Sequence, residues 1–229
     1  MKITLKTELA FALLAFLCCS YSFCEDLNSE NALASALIAA QTEPERAALL
    51  NTYPQLVTIE LRKILISEGE KLKISSSFPK ALSAFELGRT VAEKINDKTG
   101  VVESLINIGI VTRILGNNQQ ALEKMNQSLS IAEELKDQSL ISKSLLYVGV
   151  IHSYMGDYDV ALDYFKKSFE HSDLLTEKDL ALLLNNIGVT NMFKDNYDEA
   201  LPYLHKALEI RKKLNDKNAI GASFNNIAI

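Results

Sequence analysis

Beyond position 24 this sequence has no cysteine. Cys18, Cys19 and Cys24 share one N-terminal stretch, so the rest of the chain offers no disulfide, thiol nucleophile or cysteine-ligated metal. Tryptophan is absent, and 4 Pro and 9 Gly are too few for a collagen-like, linker-rich or many-turned all-β chain. Basic charge is not in excess either: the formal net charge is −5, which gives no electrostatic footprint for nucleic acid and weighs against an anionic membrane surface. The pairs Lys166-Lys167 and Lys212-Lys213 stand among acidic neighbours on predicted solvent faces. Only three histidines occur, His152, His171 and His205, and no pair has the spacing of a helical zinc motif. Each glycine stands alone, so there is no phosphate-cradling loop, and nothing resembles a nucleophile elbow. The sequence predicts no enzyme, no metal and no cofactor.

What is present begins with a leader. Lys2 and Lys6 form a short basic region, Leu9 to Leu17 is uninterruptedly apolar, and a small-residue region runs through Cys24 before Glu25-Asp26. That order predicts a signal peptide over residues 1–24 and export of the remainder, since the apolar run is too short to cross a hydrocarbon core of about 30 Å. Cleavage after Cys24 or after Ser22 fits the small-residue rule. No cysteine fits a lipoprotein signal well, which makes lipidation the lesser expectation: Leu17 precedes Cys18, Phe23 precedes Cys24, and Cys19 follows Phe16-Leu17-Cys18. Removal of the leader shifts the formal charge from −5 to −6.

The dominant feature is an internal repeat. Ala81, Ala121, Ala161 and Ala200, each followed by leucine, recur at intervals of 40, 40 and 39 residues. Gly69, Gly109, Gly149 and Gly188 recur at the same intervals, 12 residues ahead of the alanines, and Ala228 continues the glycine series. Two small-residue series in phase predict paired helices whose backbones approach closely at the crossing. In the second copy helix A is read over Val102 to Leu115, with Leu105, Ile108 and Thr112 on one stripe. Helix B is read over about Gln119 to Leu135, with Leu122, Met125 and Leu129 on its stripe. Gly116-Asn117-Asn118, Gly156-Asp157-Tyr158 and Asp195-Asn196-Tyr197 supply the A-to-B turns; Asn96-Asp97, Lys136-Asp137 and Asn215-Asp216 separate repeats. Pro202, inside the start of a helix B, predicts the loss of one hydrogen bond and a slight bend.

Segments such as Asn185-Asn186-Ile187-Gly188, Gly156-Asp157-Tyr158-Asp159-Val160-Ala161-Leu162 and Asn196-Tyr197-Asp198-Glu199-Ala200-Leu201 resemble tetratricopeptide repeats. The length is similar to the forty-residue variety of kinesin light chains and Rap-type bacterial regulators. The resemblance covers residues 58–229 and implies an all-α fold, a right-handed superhelical solenoid of antiparallel helix pairs. Its repeats are expected near 58–97, 98–137, 138–176 and 177–216, with a partial copy at 217–229. The first copy is the least regular, with Ser75-Ser76-Ser77-Phe78-Pro79 in place of the glycine turn, as a terminal repeat allows. Residues 25–57 are expected to form a capping element of two short helices, Asn31 to Gln41 and Glu43 to Thr52. Gly221 to Ile229 matches the start of a fifth helix A and stops within it, which predicts a fragment of a longer protein or self-association through an uncapped end.

The resemblance also implies a binding function for protein or peptide. Related arrays line a concave groove with helix A residues three and two before the glycine, one after it, and four and five after it. Here that gives Ile106, Asn107, Ile110, Arg113 and Ile114 in copy two. Copy three gives Leu146, Tyr147, Val150, Ser153 and Tyr154; copy four gives Asn185, Asn186, Val189, Met192 and Phe193; the partial copy gives Asn225 and Asn226. Amides can bond both ways with a peptide backbone, aromatic rings give flat apolar contact, and Arg113 can hold a carboxylate. The alternative use of the same residues is packing and hydrogen bonding between neighbouring helices. Residues Glu43 to Lys71 resemble the lead-in of bacterial proteins that join such repeats to a CHAT-type (caspase-like) peptidase domain, and similar arrays precede kinase or cyclase domains. A second expectation is therefore a sensory or substrate-recruiting region of a longer protein.

Overall fold

The computed structural model describes residues 27–228; the expected leader lies outside the described residues. Those up to Leu56 form one compact unit and those from Val57 a second. In the first, α1 (Glu30–Ala39) is capped by the Ser29 hydroxyl, which accepts from the Ala32 amide. Helix α2 (Glu43–Thr52) opens on a reciprocal capping box between Thr42 and Glu45, with Pro44 in the first turn.

The second unit is a right-handed superhelical solenoid of antiparallel helix pairs, with no strand among the described residues. The pairs are α3 (Ile59–Ile74) with α4 (Phe78–Lys94), α5 (Lys98–Ile114) with α6 (Asn118–Leu135), α7 (Gln138–Met155) with α8 (Tyr158–Phe169), and α9 (Glu177–Met192) with α10 (Tyr197–Lys213). Helix α11 (Lys217–Ile227) follows, packed on α10. Pro202 falls inside α10, and the helix runs through it to Lys213.

The two small-residue series prove to be opposite sides of one contact. A Cβ added at Gly69, Gly109, Gly149 or Gly188 would come within 2.5–2.7 Å of Phe85, Met125, Phe165 or Leu204 respectively. Each of those large residues lies four positions after the repeat alanine, one turn along the same helix B face. The alanine closes the contact from the other side: the carbonyls of Ala161 and Ala200 lie 3.1 Å from where the Gly149 and Gly188 Cβ atoms would be. Phe85, Met125 and Phe165 are completely buried, so the notch left by each missing methyl is filled by a knob from helix B.

Turns of two to four residues join most of the helices, each passing through one left-handed residue whose follower bonds back into the preceding helix. Ser76, Gly116, Gly156 and Asp195 have positive φ at the A-to-B turns; Asn96, Lys136 and Asn215 do so at the B-to-A turns. The next amide donates five residues back, as in Asn117 to Thr112 (3.1 Å), Asp157 to His152 (3.0 Å) and Asp216 to Arg211 (3.1 Å). In the B-to-A turns the next residue is also an N-cap: Asp97, Asp137 and Asp216 accept from Gly100, Leu140 and Ala219. Between α8 and α9 that dipeptide is missing. Helix α8 stops at Phe169, a 3₁₀ turn covers Ser172–Leu174, and Thr176 caps α9 instead, which accounts for the one 39-residue interval.

Candidate binding groove

One register position carries an exposed apolar side chain in every repeat. Five residues after the helix A glycine stand Ile74, Ile114, Tyr154 and Phe193, with relative exposures of 80, 38, 59 and 61%. Each is at or next to the end of its helix, so no following turn covers it. Isolated exposed apolar residues are ordinary, but here the exposure recurs at one register position in all four repeats.

The neighbouring positions are used differently. Ile110 and Val189 are half-buried, and Val150 is buried in the core cluster around Phe165. Ile106 and Leu146, expected to line the groove, belong instead to the core clusters and expose almost nothing. The reason is geometric: three residues before the glycine, the side chain points toward the helix B crossing. Arg113 reaches across to the next repeat and lays its guanidinium 4.1 Å from the centre of the Tyr154 ring.

Several polar candidates are engaged within the array. Asn185 Oδ1 accepts from Arg211 Nη1 at 2.9 Å and from Asn226 Nδ2 at 3.0 Å, tying α9, α10 and α11 together. Asn186 donates to the Leu182 carbonyl on its own helix (2.8 Å), and Ser153 shares a 2.9 Å hydroxyl bond with Thr190. Asn107 is half-buried on α5, between the buried Ile106 and Ile108. Burial, then the negative charges of Asp179 and Glu70 and a hydrogen bond to Asp179, raise the Tyr147 phenol well above its ordinary value. Asp179 accepts from Thr176 as well, and Lys143 Nζ lies 3.7 Å away. His152 is held by Asp157 (3.2 Å) and stacked on Tyr164, so it is a packed residue of the turn. Among the described residues no group of three His, Cys, Asp or Glu could hold a metal.

At the fourth repeat the register positions converge on one cavity of about 350 Å³. Val189, Met192 and Phe193 of repeat four and Asn226 of α11 line it together with Asp195 and Tyr197. Tyr158 stacks on Phe193 with ring centres 5.4 Å apart, and the Tyr197 hydroxyl donates to Asp195 Oδ1 (3.0 Å). Asp195 and Tyr197 lie outside the helix A register used to read the groove from sequence. Their signal was available in the aligned turns: Asp195 holds the left-handed position that is glycine in copies two and three.

Residues 101–173 and 180–218 each match a tetratricopeptide repeat family profile. No curated protein sequence matches the chain. Solved structures share its fold at low identity. A Rap protein complexed with competence and sporulation factor has a TM-score of 0.65 at 16% identity, over 96% of this chain and 65% of that one. The apo form of RapI gives 0.58 at 16% identity, over 81% and 77% of the two chains. A Podosopora anserina putative kinesin light chain with nearly identical repeats gives 0.54 at 14% identity, over 72% and 83%. With four in-phase helix pairs, the glycine-to-helix-B contact and both sequence matches in hand, residues 101–173 and 180–218 are tetratricopeptide repeats and the array has the fold of that family.

Proposed function

We propose that this array is a non-catalytic scaffold that holds a segment of a partner protein along the inner face of its A helices. The observation that carries the reading is the exposed row Ile74, Ile114, Tyr154 and Phe193, one large apolar side chain per repeat at a single register position. Such a row matches an extended or helical segment that presents apolar side chains at regular intervals. Tetratricopeptide repeats generally serve as interaction scaffolds, and the structurally similar Rap protein was solved with a bound factor. Arg113 and Tyr154 form the polar landmark of the row, with the half-buried Asn107 and Ile110 on the same helix as Arg113. We further propose that the leader at residues 1–24 exports the scaffold, which N-terminal sequencing of the mature protein would check.

The groove is tested by placing a photo-crosslinking phenylalanine analogue at Ile114 and, separately, at Gln127, an exposed position on helix B. A partner polypeptide labelled from position 114 and not from 127, and lost in Tyr154→Ala/Phe193→Ala with helicity unchanged, supports the reading. Equal labelling from both positions, or recovery indifferent to the double substitution, refutes it.

A further inference from the structure

We propose that the cavity of the fourth repeat is a cation subsite that takes an arginine side chain, with lysine as the weaker ligand, from the segment held in the groove. It deepens the groove reading and rests on it for the source of the side chain, but its chemistry comes from the cavity alone.

Apolar and aromatic groups, Val189, Met192, Phe193 and Tyr197, make most of the cavity wall, and a single carboxylate, Asp195, interrupts them. Among the described residues no lysine, arginine or histidine forms an ion pair with Asp195. The adjacent Lys194 is committed to Asp159. The Tyr197 hydroxyl bonds one carboxylate oxygen, and the other remains available. Asp195 stands exposed at the rim of the cavity, where an apolar side chain would offer its carboxylate no partner. A guanidinium would pair with it in a fork while its plane lies against the aromatic wall.

The array contains an internal precedent. Tyr154 stands at the same register position as Phe193, and its ring carries the guanidinium of Arg113, which comes from the preceding repeat. For the ring of repeat four the residue in Arg113's place is Ser153 of repeat three, whose hydroxyl is engaged with Thr190. Among the described residues the array therefore supplies a cation to the ring of repeat three and none to the ring of repeat four. Repeat four instead adds a carboxylate, at the left-handed turn position that is Gly116 and Gly156 in the two repeats before it. A ring without a cation and a carboxylate without a cation meet at one cavity, and one ligand group satisfies both.

The test uses the chain with acetylated, amidated pentapeptides, Ala-Ala-Arg-Ala-Ala and the same sequence with norleucine at the centre, followed by amide chemical shifts. The arginine peptide should give saturable shifts at Val189, Met192, Phe193, Asp195 and Asn226, with about tenfold weaker binding for norleucine. Asp195→Asn keeps a residue that tolerates the left-handed conformation and should also weaken the arginine peptide by about tenfold. Equal binding of the two peptides, an unchanged affinity in Asp195→Asn, or no saturation with the arginine peptide overturns the proposal. Failure of the subsite is distinguishable from failure of the groove: shifts at Ile114 and Tyr154 common to both peptides would keep the groove while removing the cation subsite.

Discussion

Gly149→Ala is the sharpest test of how the array is held together, because two opposing effects can be separated. A glycine-to-alanine change inside a helix gains about 1 kcal/mol of helix propensity. At Gly149, however, the new methyl would sit 2.7 Å from Cδ1 and Cε1 of Phe165, against an optimum of about 3.5–4.0 Å for carbon pairs. Phe165 has no room to retreat, since it is buried among Leu146, Val150, Leu183 and Ile187. The Ala161 carbonyl oxygen, 3.1 Å from the same point, blocks a shift in the other direction. Overpacking of this kind costs about 1–3 kcal/mol, and with backbone on one side the upper part of that range applies. The net loss is about 1–2 kcal/mol, or a fall in Tm of roughly 2–8 °C for a chain of this size. Gly221→Ala is the matched control: nothing lies within 4 Å of its Cβ position, so propensity acts alone and α11 should gain amide protection. Thermal melts of Gly149→Ala, Phe165→Leu and the double variant complete the cycle, with the double variant more stable than the sum of the singles by more than about 0.5 kcal/mol. A Gly149→Ala chain that melts above wild type, or additivity across the pair, would refute the knob-and-notch account.

Three further outcomes follow from the polar contacts. Because the folded Tyr147 pKa is raised, its contribution to stability is full below the unfolded value near 10 and is lost as pH rises through the folded value. Tyr147→Phe should therefore flatten the alkaline limb of the stability curve in denaturant titrations above pH 10; an unchanged limb counts against it. Arg62, buried on α3, pairs with Asp97 (2.9 Å) and Glu103 (2.7 Å), and Arg62→Ala should cost about 3 kcal/mol by urea unfolding. That is the low end for a broken buried pair because Glu103 keeps solvent access; a loss under 1 kcal/mol would place the pair with ordinary surface bridges. Asn185→Ala removes an acceptor shared by Arg211 and Asn226, at about 1–3 kcal/mol. Its effect should concentrate in α11, read as faster amide exchange at Lys217–Ile227, and equal acceleration in α5 to α7 would contradict the tie.

The repeat frame was legible because it depends on residues that leave no alternative. Only a missing side chain admits the Phe165 ring beside Gly149, and only a small residue lets the Ala161 carbonyl approach, so the spacing of the two series encoded the crossing. The B-to-A turns were equally legible, since Asn96-Asp97 and Asn215-Asp216 combine a residue tolerant of positive φ with an N-cap. The division of labour inside helix A was not. Periodicity places Ile106, Leu146 and Asn185 at one register position, yet the first two are core and the third is a brace. What decides is the tertiary neighbour, Arg211 on helix B of the same repeat, and no local pattern names it. Nor did helix A spacing lead to Asp195 and Tyr197, which reach the cavity from a turn and from the start of helix B.

That division explains where recognition can vary in this scaffold. Other polar side chains of the A helices are engaged within the array: Ser153 with Thr190, Asn186 with its own helix, Tyr147 with Asp179. Changing any of them disturbs the stacking that each repeat owes to the next. Residues at the helix ends are different, because the tight left-handed turn exposes the last side chain and holds its backbone fixed. Ile74, Ile114, Tyr154 and Phe193 can therefore differ in size, aromaticity and neighbouring charge without touching the glycine contact beneath. The turn residue is coupled to that freedom, since glycine or aspartate at the same positive-φ site sets whether a carboxylate stands beside the exposed ring. Stability is thus set along the middle of the helices, and selectivity at their ends.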